Sequence, residues 1–293
     1  MSAPTSTPAV FNNGPWVEVR PGVYTCIAEP ESVTIGLVDG GQHVLLVDAG
    51  CCPAQGAQLA SSARDLLGRP VDRLVITHAH YDHWWGLTGV PGAESWGHES
   101  LADEATRDLA APPDSGLKPQ AGWASPPNHL ISVAAIIDLG DRWAEVLHYG
   151  PGHTDTDVTV AVPASGVVFV GDLLESAGDP HFGPDATLGA WPDTLDGTLN
   201  AANPETLLIP GHGRPLSREE AAAQRDQIAD LFASAERLVR RHVPLQEALD
   251  QAESLIAEQG WTFRPDTVKD GLVIAYAEIG NRPPPRRLRL APA

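Results

Sequence analysis

One stretch, Thr77-His78-Ala79-His80-Tyr81-Asp82-His83, constrains this chain more than any other. It sets His78, His80, Asp82 and His83, all able to ligate a metal, within six residues, directly after the apolar run Leu74-Val75-Ile76. That run reads as a buried strand, and a strand end feeding a loop fixes several side chains at once. In extended backbone His78 and His80 project to the same side, because side chains repeat every two residues. Asp82 and His83 come next, where the chain turns, and address a neighbouring position. Imidazole suits zinc or iron, and a carboxylate oxygen adds charge to hold a second cation. The alternative, an exposed polar loop, does not explain why more candidate ligands recur later at the same kind of place.

With 293 residues there is room for one large domain or two small ones, and 42% hydrophobic residues suffice for a sizeable core. The 38 acidic side chains against 19 basic ones give a net charge of −19, which argues against a nucleic-acid partner. The opening MSAPTSTPAVFNNG has neither a basic n-region nor an apolar h-region, so no secretory signal is read. No apolar run approaches ~18 residues, so no membrane span is expected. Cys26, Cys51 and Cys52 do not make a disulfide framework. These features together predict a cytoplasmic protein.

Residues 1–14, rich in Pro, Ser and Thr, are expected to be disordered. Short β-like runs occupy 16–19, 23–27, 33–38 and 44–47, the last two joined by the hairpin signal Asp39-Gly40-Gly41. A helix is predicted over 54–67, with Leu59, Ala63, Leu66 and Leu67 on one face and Gly68 near its end. A strand over 71–76 leads into the histidine stretch. Beyond it the pattern predicts short helices over 84–90 and 99–109, and a strand over 93–96. Residues 110–129 read as a long loop, in which Trp123 is either a lid and substrate contact or simply packs the loop down. A second β series covers 133–139, 143–149, 158–162 and 167–170. From Ser217, which with Glu220 fits a capping box, apolar residues fall at helical spacing to about 256, and another helix is expected over 267–278. The division is a core over 15–216, C-terminal helices packed on it over 217–281, and an irregular basic tail over 282–293.

Three further segments place a candidate ligand after an apolar run: His153 in Gly150-Pro151-Gly152-His153, Asp172 after Val168-Phe169-Val170-Gly171, and His212 in Pro210-Gly211-His212-Gly213. Glycines beside them let backbone approach a metal pocket closely. Here the chain resembles the metallo-β-lactamase-fold hydrolase superfamily: His78-x-His80-x-Asp82-His83, Gly152-His153-Thr154, Gly171-Asp172 and Gly211-His212-Gly213 match its motifs in order. The resemblance implies an α/β fold, a four-layer αβ/βα sandwich with the metal site at one edge, here with a helical C-terminal segment. It implies that His78, His80 and His153 hold a first metal, that Asp82, His83 and His212 hold a second, and that Asp172 bridges both. Asp48 matches a position that supports the ligands from behind, where carboxylates orient ligating imidazoles. Asp157 is read either in that role or as a solvated turn.

Carried to chemistry, the resemblance implies two Zn²⁺, with iron or manganese as alternatives, and a metal-activated hydroxide attacking an ester, thioester, lactone or lactam-like bond. Asp82 and Asp172 are the candidate catalytic carboxylates. His80 stands where the flavodiiron branch has a carboxylate, which argues against that redox use. His78 and Asp172 argue against branches with a cysteine ligand, and Cys51 and Cys52 read as packed thiols. The runners-up are a mononuclear iron sulfur dioxygenase and a phosphodiesterase, and after them a non-catalytic metalloprotein. Trp84, Trp85, Trp123, His181, Phe182 and Trp191 are candidates for an aromatic substrate pocket. His98 and His129 read as ordinary histidines. The expected partner is a small-molecule substrate, with no nucleic acid and no membrane; the C-terminal helices suit either a pocket wall or a homo-oligomer contact.

Overall fold

The apolar runs of this chain are strands covered on both faces, and their alternation builds the layers. The computed structural model describes residues 11–107 and 117–281. The expectations for residues 1–10, for 108–116 of the predicted helix and loop, and for the tail over 282–293 lie outside the described residues. Inside them, the order reaches further than expected: Asn13 bridges Ala28, and Gly14 N donates to Ile27 O at 2.7 Å.

The first half of the chain runs β1 (Val17–Arg20), β2 (Val23–Ala28), β3 (Val33–Asp39), β4 (Val44–Val47), α1 (Pro53–Leu67), β5 (Arg73–Val75), α2 (Tyr81–Trp84), β6 (Glu94–His98), α3 (Leu101–Glu104) and β7 (His129–Ile131). The predicted hairpin joins β3 and β4. Asp39 Oδ1 accepts from Gly41 N, and Gly41 takes a φ of 77°, which a β-carbon resists. Strands β4, β5, β6 and β7 are mutually parallel, so the residues just after β4 and β5 emerge at the same end of the sheet. The helix predicted over 54–67 forms, capped by Gly68 in the left-handed region. Leu66 is not on its buried face, because the last turn, residues 64–66, is exposed. The helix predicted over 84–90 is instead α2 plus a single 3₁₀ turn at Leu87–Gly89.

The second half runs β8 (Ala134–Asp138), β9 (Trp143–Leu147), β10 (Thr159–Val162), β11 (Val167–Glu175), α4 (Trp191–Ala201), β12 (Leu207–His212), α5 (Arg218–Arg240), α6 (Leu245–Asp250), α7 (Ala252–Gln259) and α8 (Pro265–Asn281). Helix α4 is absent from the sequence expectations, although Trp191, Leu195 and Leu199 are spaced four apart and are buried. The capping box at Ser217 and Glu220 is complete, and it contributes about 1 kcal/mol to α5.

The strands hydrogen-bond in the order β7-β6-β5-β4-β3-β12-β11-β10-β9-β8, with β2 and then β1 branching from β3. Strands β3 and β12 join the two halves at one register pair, His212 opposite Val33, and an isolated bridge pairs Gly41 with Gly140. Residues alternate across each strand. In β4, Val44 and Leu46 join the cluster under α1, while Leu45 and Val47 join a cluster shared with β9, β10 and β11. In β11, Val167 and Phe169 enter that shared cluster, and Val168 and Val170 face the helices α4, α5 and α8. Three apolar interfaces therefore separate four layers: α1, one half-sheet, the other half-sheet, and the later helices. Sheets covered on both faces read as continuous apolar runs. Among the described residues, no helix is long and apolar enough to cross a membrane.

Candidate metal centre

The chain leaves β4 through Asp48, a buried residue at φ 65°, a conformation that Asp tolerates better than most side chains. Its carboxylate ties together the segment that leaves β5. Asp48 Oδ1 accepts from Thr77 N at 2.8 Å, and Oδ2 accepts from Thr77 Oγ1 at 2.9 Å and from His83 Nδ1 at 2.8 Å. Because Thr77 Oγ1 spends its proton on Asp48, it accepts from His78 Nδ1 at 3.0 Å. His78 Nε2 is thereby left with a bare lone pair, buried and without a partner.

The same logic repeats at the other imidazoles. His153 Nδ1 lies 3.2 Å from the His181 carbonyl, which only accepts, so Nε2 carries the lone pair. His80 Nε2 lies 2.9 Å from Asp185 Oδ2, so Nδ1 faces inward. His80 Nδ1 and His153 Nε2 then meet at 2.9 Å, so a cation between them would take the place of the proton they share. Burial and the neighbouring His80 hold His153 down to about pKa 3, unprotonated as a ligand must be.

Asp172, on β11, reaches every one of these groups. One oxygen is 3.2 Å from His83 Nε2, and the other is 3.4 Å from His153 Nε2, 3.5 Å from His212 Nε2 and 3.7 Å from His78 Nε2. Asp172 Oδ1 is buried without a hydrogen-bond partner. Its approach depends on Gly211, whose missing β-carbon would stand 1.8 Å from Asp172 Oδ1. Burial opposes charge on His212, but Asp172 and Asp82 outweigh it and raise the imidazole to about 11.

Candidate donor atoms fall into three groups, each within 4.8 Å: His78, His80, His153 and Asp172; Asp82, His83 and His212; and Asp172, Glu175 and His212. The unpartnered lone pairs and their convergence fit metal ions. The three cysteines belong to none of these groups and are buried. The structure thus brings together all seven side chains proposed from the motifs.

The two supporting carboxylates act differently. Asp48 touches His83 directly. Asp157 is no solvated turn: it is buried, its carboxylate accepts from Thr154 N at 2.9 Å and Thr154 Oγ1 at 2.8 Å, and burial pushes its pKa up to about 7. It shapes the loop that carries His153 and makes no hydrogen bond to that ring. Sequence reasoning misses Asp185 and Glu175. Nothing around Asp185 in the sequence marks it, whereas Glu175 ends a wholly buried strand, and a charge there is a readable signal. Burial and the Asp172 charge push Glu175 up to about 8.

The aromatic pocket expected from the tryptophans does not form. Trp84 and Trp85 are core residues, and Trp84 Nε1 donates to Ser125 O at 2.8 Å. Trp123 lies half-buried with its ring 6.0 Å from that of Trp85, so it packs the loop down. Trp191 is buried behind His153, donating to Leu173 O, with Phe182 stacked edge-on against it. Of that set, only His181 lines the cleft over the donor groups. The cleft, about 860 Å³, is otherwise walled by polar and small residues, among them Glu31, Tyr81 and Glu175. His98 and His129 stack on His148 and Trp96, away from the donors.

This fold and donor set define a metal-binding hydrolase of the two-halved sandwich type. The chain belongs to the metallo-beta-lactamase superfamily, whose sequence profile matches residues 28–212. That span holds all seven candidate ligands and ends before α5. A metallo-beta-lactamase type 2 of Bacillus sp. (strain 170) is 25% identical over 207 residues, covering 70% of this chain and 75% of that protein. A hydroxyacylglutathione hydrolase of Ruegeria pomeroyi is 27% identical over 190 residues, 64% of each chain. In structure, the metallo-beta-lactamase FIM-1 of Pseudomonas aeruginosa, in its mono-zinc form, superposes with a TM-score of 0.59 at 23% identity, covering 73% of this chain and 94% of that one.

Proposed function

We infer that this protein hydrolyses an acyl bond of a small molecule, an ester, thioester, lactone or lactam-like bond, using two divalent metals, with zinc as the first candidate. The convergence of donor atoms on His78, His80, His153 and Asp172, with His78 Nε2 and Asp172 Oδ1 buried and unpartnered, carries this reading. His78, His80 and His153 would hold the first ion and Asp82, His83 and His212 the second, with Asp172 shared. An imidazole-rich donor set suits zinc. Two divalent cations, when bound, supply Lewis acidity toward the scissile carbonyl and the attacking water. Asp172 faces both groups, so it would orient that water, accept the proton the water loses on attack and return it to the leaving group. Asp82, 3.5 Å from His212 Nε2, holds the edge of the second group that faces the cleft. The relatives named beta-lactamase and hydroxyacylglutathione hydrolase support an acyl target, and the full second donor group supports a hydrolase over a mononuclear dioxygenase. Three unpaired, buried thiols support a reducing, cytoplasmic setting.

The test is metal analysis and then a panel of thioesters, lactones, β-lactams and phosphodiesters. Two zinc ions per chain and turnover of an acyl substrate are expected, with turnover lost in His80→Ala. One iron with oxygen consumption, or a His80→Ala variant with unchanged turnover, overturns the reading.

A further inference from the structure

Glu175 is a carboxyl that neither ligand set requires. It closes β11, paired in register with His212, and only 8% of it is exposed. Gln224 clamps its main chain from both sides, accepting from Glu175 N at 2.9 Å and donating to Glu175 O at 2.8 Å. The residue is therefore held in place, yet its carboxyl has no hydrogen-bond partner among the described residues. It lines the cleft, with an oxygen within 4.8 Å of donor atoms on Asp172 and His212. A buried carboxyl without a partner is costly, and that cost is relieved when a ligand brings the missing charge.

The rest of the cleft has the same polarity. Glu31 stands on the wall, Asp82 and Asp172 lie at the base, and no Lys or Arg is among its described lining residues. The two base carboxylates are those assigned to metals. Glu175 belongs to the third donor group but to neither ion's assigned set, and Glu31 to none, so they add to the charge that a substrate in the cleft meets. The net charge of −19 extends that field outward.

We propose that the cleft selects acyl substrates carrying an ammonium group, and that Glu175 is the carboxyl group that receives it. This rests on the hydrolase reading and narrows it. A charge-assisted N–H···O bond from an ammonium to a rigid, largely buried carboxyl oxygen outweighs one made in water. A substrate ending in a carboxylate finds no Lys or Arg among the described residues that line the cleft.

Three activated esters of equal chain length, ending in an ammonium, a methyl or a carboxylate group, test this on the metal-loaded protein. The expected kcat/KM order is ammonium, methyl, carboxylate, with about tenfold or more between the first two, expressed mainly in KM. In Glu175→Gln the ammonium-to-methyl ratio falls to near one while metal content stays at the wild-type value. A wild-type ratio at or below one overturns the proposal. So does an unchanged ratio in Glu175→Gln, or loss of a metal equivalent in that variant, which would make Glu175 a ligand. If none of the esters is cleaved, the hydrolase reading is decided by the wider substrate panel and metal analysis, and calorimetry with hexylammonium and hexanoate decides the anchor: tighter ammonium binding that Glu175→Gln abolishes sustains it, and equal or reversed binding overturns it.

Discussion

His78, His80 and His153 meet as three imidazoles with Asp172, and each is fixed from behind by a different partner: Thr77, Asp185 and the His181 carbonyl. Asp82, His83 and His212 meet as two imidazoles and a carboxylate, and the direct brace on that group is Asp48 behind His83. The first group is held by several bonds drawn from distant loops, so losing one leaves the others in place. The second depends on one carboxylate that also clamps the end of β5. Removing a single outer partner should therefore damage the second group more than the first.

The sharpest test of this contrast removes the residue that the groups share. Asp172→Ala should lower metal content at both groups and reduce kcat/KM by ~10³-fold, about 4 kcal/mol of barrier. Full loading of either group in that variant, measured by metal analysis, would mean that Asp172 serves only one of them. Next, Asp48→Asn keeps the left-handed backbone position but presents an amide to His83 Nδ1. Metal affinity of the second group should fall by roughly 10–100-fold and that of the first by less, since Asp48 touches His83 directly but reaches His78 only through Thr77. Asp185→Asn should weaken only the first group, by about tenfold, toward the lower end of the same range. Competition titrations with a chromogenic chelator measure both, and equal losses in the two variants would erase the distinction.

The smallest effect concerns stability. Burial raises Asp157 from 3.8 to about 7, so the folded state prefers its neutral form. The stability this provides is complete below about pH 4 and is lost as pH rises toward about 7, because the unfolded chain releases that proton first. Asp157→Asn should remove that slope. In metal-free protein, the variant should gain on the order of 2 kcal/mol relative to wild type between pH 5 and pH 8, read from urea titrations. A parallel slope in both proteins would show that Asp157 is not the titrating group.

Much of the fold was legible because its signals are local. The runs Val44-Leu45-Leu46-Val47 and Val167-Val168-Phe169-Val170 read as strands without reference to the rest of the chain. A strand covered on both faces, however, carries no polar side to show which layer each residue enters. The tryptophans failed as pocket residues for a related reason: a large aromatic beside a ligand motif fits a cleft wall or the packing behind it equally well. Trp191 shows this plainly, since it touches the site through the buried back of His153.

By itself, the sequence determined the ligand types and where each leaves its strand, because residue identity, two-residue periodicity and the glycines beside the ligands act over a few residues. Only the tertiary structure decided which donors share an ion and which groups brace them. His83 and His212 are 129 residues apart yet meet at 3.3 Å, and His80 finds Asp185 across 105 residues. Those meetings arise from the packing of the two half-sheets and from the loops laid over their edge. No local pattern encodes them, because burial and alignment are properties of the whole packed chain.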